Sequence, residues 1–428
     1  MKYSQLSAMV TLIAVFVVPV SGLAQLHKIQ TDKLEFRRHE INWGLNYSGA
    51  NERESWKTDD AKYYEEISTN SVNLFLENRY WNFSENRQQQ FFVSAKAGPL
   101  WGNGNWNDSS YIEEIDAEHR LTGLRAAISA DYSLRYYYNN RNYTLLQVNA
   151  AAQYDWYNQT SEGTIADSNL VVSDYMNDSK GDRLRTEINA RAGWGLGRLT
   201  AVNHFMTAEY LLTKYYSEQD FSQDEIMLLA EEIARLKNSR DPRISHQPEI
   251  EIKQLEDFLN QKMIQIPKRI MVADWESGEF SPRYNGSRVE FGPFFQYYNR
   301  EPDFVYGGYL MLENARYCNM KWNRNFSAAI NYNAYKHNDW VLGEIRLGWS
   351  YFQQLQSQWD LGLKYIPGLE IGDEKAFFYQ GVVPYFSWFT QLNSKNRIDM
   401  SLAWRITSDE KLMLPGPEIS VSVYRSKY

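Results

Sequence analysis

The chain has 428 residues with 45 Lys+Arg against 53 Asp+Glu, a formal charge of -8, and a mean hydropathy of -0.58. That average excludes a protein of many membrane-spanning helices, because repeated apolar runs of about 20 residues would lift it above zero. The acidic balance lacks the basic footprint of a nucleic-acid binder, and the lone Cys318 excludes an internal disulfide framework or a Cys-rich metal centre.

The only long apolar stretch opens the chain. Lys2, the apolar run Ala8 to Val18, and small residues at Gly22 and Ala24 form the pattern of a secretory signal peptide, residues 1–24, cleaved near Ala24. The remainder is dominated by alternation with period two, as in strands with one apolar and one polar face. Leu124, Ala126, Ile128, Ala130, Tyr132, Leu134 and Tyr136 interleave with Arg125, Ser129, Asp131, Ser133 and Arg135. Leu146 to Trp156 and Leu184 to Trp194 repeat the pattern. A soluble sandwich also alternates, but here the segments are long and aromatics gather at their ends, as at Tyr136-Tyr-Tyr138 and Trp156-Tyr157. The pattern predicts an all-β fold, a transmembrane antiparallel β-barrel of about 14 strands, with 12–16 open, in contact with outer-membrane lipid.

The predicted strands centre near Trp43, Leu74, Val93, Ile128, Ala150, Ile188, Phe291, Tyr309, Ile330, Ile345, Leu361, Val382, Leu402 and Val421. Long polar loops are expected near residues 50 to 64, 102 to 116 and 158 to 181, and short breaks near Ser84-Glu-Asn86 and Asn139-Asn-Arg-Asn142. The chain ends at Tyr428, which resembles the terminal aromatic of bacterial outer-membrane barrels. The two barrel halves are residues 25–198 and 285–428.

Between them, residues 199–284 break the pattern and take the helical spacing of three and four. Ser222-Gln-Asp-Glu225 reads as a capping box that leads Ile226, Leu229, Ala230, Ile233 and Leu236 along one face. Phe205, Ala208, Leu212 and Tyr215 predict an earlier helix, and Ile252, Leu255, Phe258, Leu259 and Met263 a later one between Pro248 and Pro267. Glu231, Glu232, Arg235 and Lys237 mark the polar face. Links after even-numbered strands lie on the periplasmic side of such barrels, so this helical insert, after strand six, is expected in the periplasm or folded upward as a plug.

Gly193-Trp-Gly-Leu-Gly-Arg198, the helices and Ala230-Glu-Glu-Ile-Ala-Arg-Leu-Lys-Asn-Ser-Arg240 carry a resemblance. Over residues 193 to 290 the chain resembles a Bacteroidetes-type family of uncharacterised outer-membrane β-barrel proteins with a helical insert. The resemblance marks Arg198, Arg240, Asp241 and Arg243, the last three in a segment shorter than the family pattern, and implies an architecture without an activity. The three glycines read as close strand packing, because no βαβ unit or Walker lysine accompanies them.

The inward faces carry both signs: Arg125, Asp131 and Arg135 on one strand, Arg183, Arg185, Glu187 and Arg191 on another, Glu344 and Arg346 on a third, and Arg397, Asp399 and Arg405 near the end. Lumen charge can set ion preference, but pairing across the lumen that stiffens and closes the barrel is the preferred reading. Six scattered histidines lack metal spacing, no cofactor is implied, and no G-x-S-x-G or H-E-x-x-H supports a catalytic site. The sequence therefore leads to an outer-membrane barrel of a Gram-negative bacterium acting as a scaffold or export and envelope-assembly component, with a periplasmic protein partner for its insert. The alternatives are a passive, porin-like channel for small solutes and, less favoured, an outer-membrane hydrolase.

Overall fold

The computed structural model describes residues 34–427 apart from 58–60, 111–112, 168–170, 242, 244–246, 265–266, 278–281, 300–302, 336–337, 373–374 and 394. The signal segment and Tyr428 lie outside the described residues. Fourteen strands follow one another: β1 (Phe36–Lys57), β2 (Ala61–Phe83), β3 (Arg87–Ser110), β4 (Glu113–Tyr137), β5 (Asn142–Asp167), β6 (Val172–Ala201), β7 (Tyr284–Tyr298), β8 (Phe304–Asn319), β9 (Trp322–Ala334), β10 (Asp339–Gln354), β11 (Ser357–Ile371), β12 (Ala376–Gln391), β13 (Asn396–Thr407) and β14 (Gly416–Lys427). Each pairs with its sequence neighbours, and β1 pairs antiparallel with β14 from Ile41↔Lys427 to Ala50↔Glu418, closing the ring. All fourteen expected centres fall inside their strands.

Closure follows from the period-two pattern, because a closed ladder satisfies every backbone group without an edge in lipid. Leu124 and Ile128, each 55% exposed, and Leu74, Leu361 and Trp404 point outward, whereas Asp155, Arg135 and Glu290 are buried inside. Rings concentrate at two levels. Tyr136, Tyr138, Trp194, Trp322 and Trp359 stand near one end, and Trp101, Trp156, Phe304, Tyr332 and Trp404 near the other. From Trp322 to Tyr332, ten residues of tilted strand span about 25 Å, the height of a lipid-facing band. Among the described residues, no helix is long and apolar enough to cross a membrane.

The segments expected as long outer loops are instead paired strand. The β1–β2 ladder runs to Lys57↔Lys62, β3–β4 to Ser109↔Glu114 and β5–β6 to Ala166↔Val172. A six-stranded wall therefore rises past the upper ring level on one side only, since β7 to β14 have at most 16 residues each. These hairpins are hydrophilic on their outer side, so the apolar alternation that marks a membrane strand is missing while the hydrogen-bond ladder continues.

The ladder also runs slightly into the expected insert, to Ala201↔Tyr284. Between them lie α1 (Asn203–Tyr215), α2 (Gln223–Asn238), α3 (Pro248–Lys262) and a short α4 (Val272–Trp275). Both halves of the capping box form at Ser222 and Glu225, and Pro248 opens α3 at a position where its missing N–H costs no helical bond. Leu211 and Leu212, Leu229 and Ile233, and Leu255 and Leu259 meet in one core with Trp275. Each such buried aliphatic chain contributes roughly 1.5–3 kcal/mol, so mutual burial of the three stripes holds the unit together. Lys237, expected on the polar face, is buried: its Nζ donates to the Trp275 carbonyl at 2.9 Å and lies over that ring at 4.7 Å.

Candidate functional site: a charged lumen beneath a helical cap

Alternation along β3 to β7 sends a ladder of polar side chains into the lumen, where most of the charged ones find partners. Arg125 donates to both oxygens of Asp155, at 2.7 and 3.1 Å. Arg135 reaches Glu290 at 2.5 Å, and Glu290 also accepts from Tyr143 at 3.0 Å and lies 3.2 Å from Arg288. Arg288 in turn bonds Glu313. Beside the closing seam, Glu40 accepts from Arg397 and lies 3.4 Å from Arg38, while Tyr424 donates to Asp399 at 2.8 Å. Pairing of this kind stiffens a polar interior and avoids the cost of a lone buried charge.

The other flagged positions are spread along the lumen. Arg191 lies over the Tyr309 ring at 5.4 Å, and Arg346 donates to Tyr385 Oη at 3.1 Å. Glu344 shares the face of Arg346 on β10. Asp131 stands opposite Asn149 in the β4–β5 ladder, and Arg183 opposite Asp155 in β5–β6. Arg185 and Glu187 line a cavity of about 620 Å³ together with Glu77, Lys96 and Glu418. A second cavity of about 410 Å³ shares Ser420 and Ser422 with it, and a third of about 510 Å³ shares Asp360 and Ser387 with the second. The interior is thus a chain of polar chambers crossed by ion pairs.

At the end of the barrel that holds both described chain ends, the helical unit crosses the mouth. On β1 the Phe36 ring meets His204 at 5.4 Å and the Arg37 N–H donates to Asn238 Oδ1 at 2.8 Å. Tyr317 of β8 packs against Phe205 and bonds Glu209. β1 and β8 lie seven places apart in a ring of fourteen, so these anchors are diametrically opposed. Gln391 at the end of β12 adds a bond to the Glu276 carbonyl at 3.1 Å, and Leu355 joins the helical core.

Within the cap, Asp274 accepts from Lys214, Tyr215 and Tyr210 at 2.6, 2.6 and 3.0 Å. Burial alone would raise its carboxyl, but these three donors outweigh it and hold the group below the ordinary aspartate range. The marked insert residues do not converge. Arg198 donates to the Ser84 and Glu85 carbonyls, both at 2.6 Å, and covers the Tyr137 ring at 4.2 Å. It follows Gly197, whose φ of 93° is a left-handed conformation that suits glycine. Arg240 pairs with Glu251 at 2.6 Å, and Glu251 accepts from the Trp275 indole at 2.6 Å. Asp241 and Arg243 form a separate surface pair. Arg198 and Arg240 fasten neighbouring segments, whereas Asp241 and Arg243, among the described residues, bond only each other.

One constellation escaped the sequence reading because its members lie on different strands. His119 Nδ1 sits 2.7 Å from Ser161 Oγ, and Nε2 lies 3.9 Å from Glu65. Ser161 is only 3% exposed, the Trp106 ring stacks on His119 at 5.4 Å, and the surrounding strands are paired in the ladder. The Ser161 hydroxyl is thus held inside the wall against the imidazole. Among the described residues, no group of His, Cys, Asp and Glu has the geometry to hold a metal ion. Glu40 and Glu290 were also missed, although Arg288 and Glu290 alternate with Val289 and Phe291 as the marked residues do.

A closed antiparallel ring, apolar outside and charged inside with two aromatic levels, is a transmembrane β-barrel. No protein-family model matches the chain, and no curated protein matches it in sequence. Among solved structures it is similar to the translocator domain of autotransporter NalP from Neisseria meningitidis, at 8% identity over 99% of this chain and 98% of that one, TM-score 0.30. It is also similar to the transport unit of the autotransporter AIDA-I from Escherichia coli, at 10% over 91% and 89%, TM-score 0.32. A third likeness is to the P. putida toluene transporter TodX, at 9% over 91% and 89%, TM-score 0.34. The barrel itself is established by its continuous strand ladder.

Proposed function

We propose that this protein is an outer-membrane barrel whose helical cap closes the periplasmic mouth and serves as the docking face for a component of export or envelope assembly. The observation that carries this is the anchoring of the cap on opposed strands, at Phe36 and Arg37 on one side and Tyr317 on the other. A simple pore needs no folded unit across its mouth.

The native Cys318 tests the sidedness, since it is exposed at the β8–β9 turn on the cap's end of the barrel. A membrane-impermeant maleimide should leave intact cells unlabelled and modify Cys318 after the outer membrane is permeabilised. Labelling of intact cells would put the cap outside and remove the periplasmic partner. A second reading, a channel for small solutes, is favoured by the 620 Å³ polar chamber. It predicts steady conductance with the cap in place.

A further inference from the structure

We propose that the upper edge of β6, Val172 to Asp182, docks an extended basic polypeptide segment as a seventh strand of the projecting wall. The inference concerns the end of the barrel remote from the cap and does not rest on the function proposed above.

The wall has two edges, treated differently by the fold. On the β1 side, where pairing with β14 stops at Ala50, the β13–β14 link closes over the strand: Glu410 accepts from the Ser55 N–H at 2.6 Å and from its hydroxyl at 3.1 Å. On the β6 side, pairing with β7 stops at Glu187. Asn299 then caps the next two positions, accepting from the Thr186 N–H at 2.8 Å and donating to the Leu184 carbonyl at 2.9 Å. From Asp182 up to Val172, no described residue outside β5 hydrogen-bonds the β6 backbone. The β7–β8 link beside it is short, with five residues between Tyr298 and Phe304.

The Asn299 bonds also fix which groups are offered. In an antiparallel strand, the N–H and C=O of one residue point to the same side and alternate along the chain. Because Thr186 and Leu184 point away from β5 and the β5–β6 register runs without a shift, Val172, Asp174, Met176, Asp178, Lys180 and Asp182 present their backbone groups to the open side. Such a row is a ready template for strand addition. The exposed side chains of these residues include three aspartates against one lysine, and Glu162 stands on the same face of neighbouring β5. An incoming strand with basic residues at alternate positions would complement them.

Two features argue against a second copy as the occupant. The aspartates repel their own kind. Barrels in one membrane, related by a two-fold axis along its normal, would also bring strands tilted by about 35–45° across one another at roughly twice that angle, far from antiparallel. A free extended segment has neither restriction.

The test uses the full mature chain in detergent micelles, with a synthetic peptide of about ten alternating lysine and threonine residues as probe. Hydrogen exchange of fragments covering residues 172–182 should slow about tenfold or more with this peptide and not with its glutamate-threonine counterpart. Met176→Pro and Lys180→Pro each remove an edge N–H without breaking a bond to β5, so they should abolish the protection while the heat-dependent gel shift of the folded barrel persists. Asp174→Asn with Asp178→Asn should weaken it at least tenfold at low salt. Absence of protection, equal protection by the acidic peptide, or protection untouched by either proline would overturn the proposal. So would protection that rises with protein concentration alone alongside a dimer mass, which would make the occupant a second copy.

Discussion

Arg135 Nε and Glu290 Oε1 lie 2.5 Å apart although β5 and β6 stand between their strands in the ring. The pair therefore holds the shape of the lumen as well as two side chains. Glu290 is 1% exposed and also accepts from Tyr143, so removing Arg135 leaves a buried carboxylate short of its main partner. Arg135→Ala should cost about 3–5 kcal/mol, read as a lower urea midpoint of the heat-modifiable band. Arg135→Met with Glu290→Gln, which removes both charges, should recover a large part of that loss.

Gly195 makes room for this network. A Cβ there would lie 2.2 Å from Cζ of Tyr143, the residue directly opposite in the β5–β6 ladder. Gly195→Ala should push the ring off Glu290 and destabilise by roughly 1–3 kcal/mol. In the background of Tyr143→Ala the same substitution should be nearly neutral, and equal costs in both backgrounds would contradict the assignment.

The cap has a pH signature of its own. Asp274 is held below the ordinary carboxylate range in the folded protein, so its contribution is complete above the unfolded value of about 4 and is lost as pH falls through the lowered folded value. Limited proteolysis should show residues 202–283 resistant at neutral pH and increasingly cut in acid. Asp274→Asn should be more susceptible at neutral pH and flatter across the acid range.

Much of this architecture was readable because membrane strands must alternate and helices must pack. Ile128, Ala150 and Ile188 each announced a strand through a lipid-facing row, and Ser222 with Glu225 announced α2 through its cap. The upper wall was not readable: around Asn103, Asp116 and Asp178 water faces the strand, so nothing demands apolar alternation, and hairpin and loop look alike. Partners across the lumen were equally hidden. Arg135 and Glu290 are 155 positions apart, and their meeting depends on the stagger of the closed ring, which no single strand encodes. Helix α4 has only four residues, too few for a period to show.

The most direct measurement is planar-bilayer conductance of the purified barrel, compared with a variant in which residues 202–283 are replaced by a short Gly-Asn turn. The cap spans the mouth between β1 and β8, so the native protein should show little or no steady conductance, while the capless variant, still folded by gel shift, should open in discrete steps. Large, stable steps from the native protein, unchanged by loss of the cap, would contradict closure and favour the channel reading.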